Sequence, residues 1–75
     1  MLHRLKTVFA SVFGDHIIDE IELGATMESV EAWDSMSFIQ VMLAVESEFG
    51  IKIGPDDAMS MTTVDGILSL IRSRQ

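Results

Sequence analysis

Apolar residues recur at three- and four-residue steps along much of the chain. Leu2, Leu5, Val8, Phe9, Val12 and Phe13 form the first such run, and Gly14 ends it. That spacing predicts an amphipathic helix stopped by the glycine. From Asp15 to Trp33 the pattern loosens, with Ile17, Ile18, Ile21, Leu23, Met27 and Val30 scattered among polar residues. This stretch reads as a long connection pinned to the rest of the chain by those side chains, and connections of such length in small domains are often functional. A strand over Ile17–Leu23 is disfavoured, because no second strand signal offers it a partner.

Helical spacing returns after Trp33. The second helix is predicted over Ser35–Phe49, with Gly50 as its C-terminal stop. Gly54-Pro55 breaks the chain, and Asp56–Met61 reads as one short helical turn with Pro55 near its start. Thr62 or Thr63 caps the last helix, and Asp65, three residues after Thr62, suggests a capping box with a shortened acid. Val64, Ile67, Leu68 and Ile71 then form one apolar stripe, with Arg72 and Arg74 at the C-terminal end, where the helix dipole favours cations. The expected fold is all-α: a four-helix bundle of three longer helices and one short helix, with a long first loop, residues 1–75 forming a single domain.

Composition narrows the picture. Hydrophobic residues make up 48% of the 75 positions, enough for a core and too many for a disordered chain. The absence of cysteine excludes disulfides and thiolate-ligated metal. No apolar stretch approaches the ~20 residues that span a bilayer. The first helix carries His3, Arg4 and Lys6 and no acid, which resembles a short targeting segment, but its apolar residues read better as part of the core.

The net charge of −7 is unevenly spread. Between Thr7 and Ile51 there is no Lys or Arg, while Asp15, Asp19, Glu20, Glu22, Glu28, Glu31, Asp34, Glu46 and Glu48 all fall there. Such a surface repels nucleic acid and anionic membranes. It suits a basic protein partner, and equally it suits the plain solubility of a small protein.

The second helix has two apolar stripes. At 100° per residue, Phe38, Val41, Met42, Val45 and Phe49 share one face. Met36, Ile39 and Leu43 form another, roughly a third of a turn away, with Ser35 and Glu46 at the seam. A surface helix needs one apolar face. The second is either buried in its turn or forms a docking surface or cleft beside Ser35.

Asp34 and Ser35 open this helix as preferred capping residues. No glycine-framed serine elbow or sequence-positioned histidine supports hydrolase chemistry, and His3 and His16 read as surface residues. Asp56, Asp57 and Asp65 lack calcium-loop spacing. A phosphate on Ser35 would face free backbone N–H groups and the positive end of the helix dipole. The six methionines suit an adaptable interior or ordinary gap filling.

The segment from Trp33-Asp34-Ser35-Met36 to Glu46-Ser47-Glu48-Phe49-Gly50-Ile51 resembles the Asp-Ser-Leu helix of acyl carrier proteins. The stretch from Ile53 through Met61-Thr62-Thr63-Val64 to Ile71 is similar to that family's third and fourth helices, so the resemblance covers essentially the whole chain. It implies a non-enzymatic carrier with 4′-phosphopantetheine on Ser35, holding a biosynthetic intermediate as a thioester. Asp34 would help a phosphopantetheinyl transferase hold Mg²⁺. Met36, Ile39, Gln40, Leu43 and Glu46 would meet that transferase and the enzymes that load and transfer the acyl group. The resemblance further implies a cytoplasmic monomer with no nucleic-acid or membrane partner and no resident metal. Where fatty-acid members have acids, this chain has Ser37, Gln40 and Ser47, and Trp33 stands where they often have a small residue. In this it resembles carriers of specialised biosynthesis more than the general fatty-acid carrier. An aminoacyl or peptidyl carrier, or a helical interaction module without an arm, are the alternatives.

Overall fold

A computed structural model describes residues 2–74; positions 1 and 75 of the expected domain lie outside the described residues. Helix α1 runs over Leu2–Phe13 and buries Leu5, Val8 and Phe9, the inner members of the apolar run. Gly14 ends it with a positive φ of 105°, a conformation that costs glycine little. The chain then forms a 3-10 segment over Asp15–Glu20. Two further α-helices follow, α2 over Ser35–Phe49 and α3 over Val64–Arg74, with a second 3-10 segment over Pro55–Thr62 between them. Among the described residues there is no strand, only an isolated antiparallel bridge between Thr26 and Thr63. The expected helical bundle is therefore present, with the second 3-10 segment as its short helix.

The long connection is more ordered than its sequence pattern suggests. Ile17, Ile21, Ala25 and Val30 are buried and Met27 packs partly against the core, but Leu23 points to solvent, so it does not help pin the loop as its hydrophobicity suggests. The anchoring comes from the backbone as well. The Met27 N–H donates to the Thr62 carbonyl at 2.9 Å and the Val64 N–H to the Ala25 carbonyl at 3.0 Å. These two bonds fasten the loop to the start of α3.

The α3 cap differs from the expected capping box. The Gly66 N–H donates to the Thr63 hydroxyl oxygen at 2.9 Å, so Thr63 alone caps the helix, and Asp65 is an exposed first-turn residue without a capping bond. The register explains this: α3 starts at Val64, which makes Thr63 the N-cap and Gly66 the third helical residue. At the other end Arg74 does more than face the dipole. Its guanidinium donates to the Lys52 carbonyl and to Asp57 Oδ1, both at 2.7 Å, tying α3 to the second 3-10 segment.

The core is wholly apolar, with no buried polar residue among those described. Trp33 and Phe9 are its largest members and meet edge to face, with ring centroids 4.9 Å apart. Arg4 clasps α1 to the end of α2: it lies 4.5 Å over the Phe49 ring and reaches Glu48 Oε2 at 3.2 Å. An exposed pair of this kind contributes about 0–1 kcal/mol.

Gly66 sits where α3 and the second 3-10 segment touch backbone to backbone. A Cβ there would overlap the Ser60 carbonyl oxygen and lie 2.9 Å from the Thr63 hydroxyl. Alanine gains about 1 kcal/mol of helix propensity, but a clash with backbone cannot be relieved by a rotamer change. Gly66→Ala is expected to cost a net 1–3 kcal/mol, roughly the usual range for overpacking. Gly24, whose added Cβ meets nothing within 4 Å, serves as the control. Urea unfolding checks this: the midpoint should fall for Gly66→Ala and stay put for Gly24→Ala.

Candidate functional site

The start of α2 is fixed by a reciprocal cap. Asp34 is extended, with φ −114° and ψ −175°, and its Oδ1 accepts the N–H groups of Met36 and Ser37, each at 3.0 Å. In return the Asp34 N–H donates to the Ser37 hydroxyl oxygen at 3.0 Å. The Ser37 hydroxyl lies 3.0 Å from the Ala32 carbonyl and 3.2 Å from Asp34 Oδ1, so its proton has acceptors on both sides. This is a capping box in which serine takes the place of the usual Glu or Gln. Ser37, which the sequence reading notes only as a departure from the acidic pattern, therefore positions the site. Its signal was available: a polar side chain three residues after an N-cap aspartate.

Ser35 is the first residue of α2 and is exposed, and its hydroxyl makes no hydrogen bond to any described residue. Asp34 is exposed beside it. The Ser37 N–H, and after it the Ser37 hydroxyl, hold the Asp34 carboxyl below its ordinary 3.8. The carboxylate is thus ionised and half engaged: its bonds gather on Oδ1, and none to a described residue falls on Oδ2.

That cap changes one expectation. The first-turn N–H groups thought free to greet a phosphate are not all free, because Asp34 Oδ1 already holds those of Met36 and Ser37. A phosphate on Ser35 would find the Ser35 N–H and a neighbouring negative charge. The helix N-terminus therefore offers it less than the sequence suggests.

Two surfaces flank the serine. On one side an almost wholly apolar groove of about 300 Å³ runs between α2 and the second 3-10 segment, lined by Met27, Ser35, Phe38, Ala58, Met59 and Thr62. The sequence marks Met27 only as a loop anchor and Thr62 only as a candidate cap, and does not single out Ala58 or Met59, because nothing local marks residues brought together by the bundle. On the other side lies the second apolar stripe, and it is not buried. Met36 is 86% exposed, Ile39 61% and Leu43 59%, with Gln40 exposed among them. Glu46 is half-buried, and its Oε2 accepts the Ile53 N–H at 2.8 Å, so it fastens the segment after α2. The described methionines divide between core and surface: Met61 is fully buried and Met27 and Met42 pack partly against the core, while Met36 and Met59 are exposed.

Ser35 is thus an exposed serine, unbonded to any described residue, at the head of a capped helix in a small helical bundle. A family model described as a phosphopantetheine attachment site matches residues 3–71. The acyl carrier proteins of Rickettsia canadensis (strain McKiel), Rickettsia typhi (strain ATCC VR-144 / Wilmington) and Rickettsia prowazekii (strain Madrid E) are 38% identical over 42 residues, which is 56% of this chain and 49% of each relative. The chain spans about half the length of these curated relatives. The chain belongs to the phosphopantetheine attachment-site family, whose model covers all but its ends. Such a domain is a carrier that enzymes act upon, not an enzyme. Among the described residues no helix is long and apolar enough to cross a membrane, and no cluster of His, Asp or Glu could hold a metal.

The site fits the covalent phosphopantetheine that this family implies. The Ser35 hydroxyl has no hydrogen bond to surrender, faces solvent and opens beside an apolar groove. Asp34 gives a pH test of the cap that holds the serine. A carboxyl with a depressed folded pKa stabilises the fold above its unfolded value, here 3.8, and loses that contribution as pH falls through the folded value. Asp34→Ala should therefore melt below the wild type near pH 6, and the gap should narrow as pH drops from about 4 toward 2. A gap constant over that range in thermal melts would show that the cap does not depend on the charge.

Proposed function

We propose that Ser35 carries the 4′-phosphopantetheine arm and that residues 1–75 act as one carrier domain. The arm's terminal sulfur would hold a biosynthetic acyl group as a thioester and present it to successive enzymes. The carrying observation is the exposed, unbonded Ser35 hydroxyl at the first position of α2, within a chain matched to the attachment family over residues 3–71.

During loading, Ser35 Oγ gains a phosphoester bond as the pyrophosphate bond of coenzyme A breaks. The nucleotide half leaves, and the hydroxyl proton passes to a base or solvent. Asp34 would lend Oδ2 to the transferase's Mg²⁺, which the absence of a bond to that oxygen among the described residues supports. The carrier then works by tethering, which raises the effective concentration of cargo at whichever enzyme is docked. Met36, Ile39, Gln40 and Leu43 form the docking face in this reading, and Glu46 stands at its edge while holding Ile53.

The apolar wall of the groove beside Ser35 supports an acyl cargo over an aminoacyl one. Trp33 in the core and Ser37, Gln40 and Ser47 on α2 support a carrier of specialised biosynthesis. It would act as a cytoplasmic monomer that moves between a phosphopantetheinyl transferase and the enzymes that load and transfer the acyl group.

The test is direct. Incubated with coenzyme A, Mg²⁺ and a broad-specificity phosphopantetheinyl transferase, the protein should gain the mass of one arm, and Ser35→Ala should gain none. Intact mass spectrometry reads both. No gain with several transferases acting on folded protein would make Asp34-Ser35 a cap and nothing more.

A further inference from the structure

The two most exposed large apolar side chains among the described residues are both methionines, Met59 at 87% and Met36 at 86%. Both stand beside Ser35. Met36 follows it in the first turn of α2, and Met59 lines with it the groove between α2 and the second 3-10 segment. The other described methionines are covered to different degrees: Met27 and Met42 pack partly against the core, and Met61 is fully buried. Leu23, Ile39 and Leu43, the remaining exposed large hydrophobics, are less exposed and carry no sulfur. The chain has no cysteine, so thioethers are its only sulfur groups.

We propose that Met36 and Met59 are sites of reversible oxidation: hydrogen peroxide converts their thioethers to sulfoxides ahead of the other described methionines, and the sulfoxide at Met36 slows loading of Ser35. The second half rests on the carrier function proposed above. The step balances. A lone pair on the thioether sulfur attacks one peroxide oxygen, so that an S–O bond forms and the O–O bond breaks. The second oxygen leaves as hydroxide, takes the proton of the first and departs as water. Sulfur gives up two electrons and peroxide gains them. The attack needs an approach to sulfur from solvent. Exposure gives that approach to Met36 and Met59, and the packed core denies it to Met61 unless the fold opens.

The product alters the surface and spares the fold. A sulfoxide is polar and chiral where the thioether was flexible and apolar. Neither side chain belongs to the core, so conversion removes no core packing. At Met36 the new S–O dipole must shed water whenever a transferase covers the side chain, and hydration lost without a partner weakens the complex. Met59 lines a groove whose walls are otherwise almost wholly apolar, so its sulfoxide places an acceptor there and leaves the α2 side of Ser35 unchanged. The two positions thus separate: Met36 acts on loading and Met59 on the groove. Dedicated reductases return each sulfoxide epimer to the thioether, which makes the change a switch and not a lesion.

The test begins with folded protein treated with hydrogen peroxide, each methionine being followed by peptide mapping. Sulfoxide should accumulate at Met36 and Met59 at least about tenfold faster than at Met61, and the rates should converge in urea that unfolds the chain. Melting temperatures before and after treatment should agree. With a broad-specificity phosphopantetheinyl transferase, the oxidised protein should show KM for arm transfer raised about threefold to tenfold, with kcat preserved. Treatment with the two methionine sulfoxide reductases should restore it. Compared with its own untreated sample, Met36→Leu should lose the peroxide response and Met59→Leu should keep it. Equal rates at Met61 and Met36 in folded protein overturn the assignment of sites. An unchanged KM in protein carrying sulfoxide at Met36, or a response that persists in Met36→Leu, overturns the effect on loading. Untreated wild type that never accepts the arm is a different result: it removes the carrier reading, and the order of oxidation then decides the proposal by itself.

Discussion

The structure depends on the boundary at Asp34, where the chain passes from core to solvent in two residues. Trp33 is fully buried against Phe9, and Ser35 is exposed. The extended backbone of Asp34 makes the turn, and its reciprocal bonds with Ser37 start α2 there and nowhere else. The backbone of the serine is thereby anchored by a packed indole on one side and a capped helix on the other. The arrangement has a cost: the Trp33 Nε1–H is buried without a partner, which is worth about 1–3 kcal/mol. Burying an aromatic of this size removes roughly 150–250 Å² from water, a gain of about 4–6 kcal/mol at the usual coefficient. Burial wins, and the orphan donor is tolerated.

Charge in this small domain is sorted by task. Glu46, Glu48 and Asp57 each hold a piece of the fold, through Ile53, Arg4 and Arg74 respectively. The exposed acids of the first connection form no ion pair or side-chain bond of this kind with the described residues. A count of charges along the sequence treats these groups as equivalent, and so overstates the negative potential of α2. The even choice that net charge leaves, between a basic partner and mere solubility, arises because the sequence does not show which carboxylates are already engaged.

What was legible follows from local rules. The bounds of α2 could be read because its start is an aspartate cap and its end is Gly50, which adopts the left-handed conformation with φ 66°. The two apolar stripes were visible from spacing alone, but spacing could not say whether the second was covered; the exposure of Met36 answers that only in three dimensions. The 3-10 segment at Asp15–Glu20 was hidden because two adjacent isoleucines among polar residues fit no helical or alternating period. Thr62 and Thr63 are indistinguishable as caps until the register of α3 is known, and that register depends on Gly66 meeting Ser60. The groove beside Ser35 joins residues from three separated segments, so no local pattern announces it.

The cap also bears on how the proposed arm would behave. A helix N-terminus is commonly an anion site, and a phosphate on Ser35 might be thought clamped there. Here the Met36 and Ser37 N–H groups are already held by Asp34 Oδ1, a carboxylate kept ionised by that same geometry. A phosphate on Ser35 would stand beside a like charge, with the Ser35 N–H as its near donor. A carrier gains from this, because tethering raises effective concentration only if the tether can reach more than one site. A firmly bound phosphate would fix the first bonds of the arm and shorten its reach. In the proposed carrier, the bonds that start α2 would therefore leave an arm on Ser35 free to move.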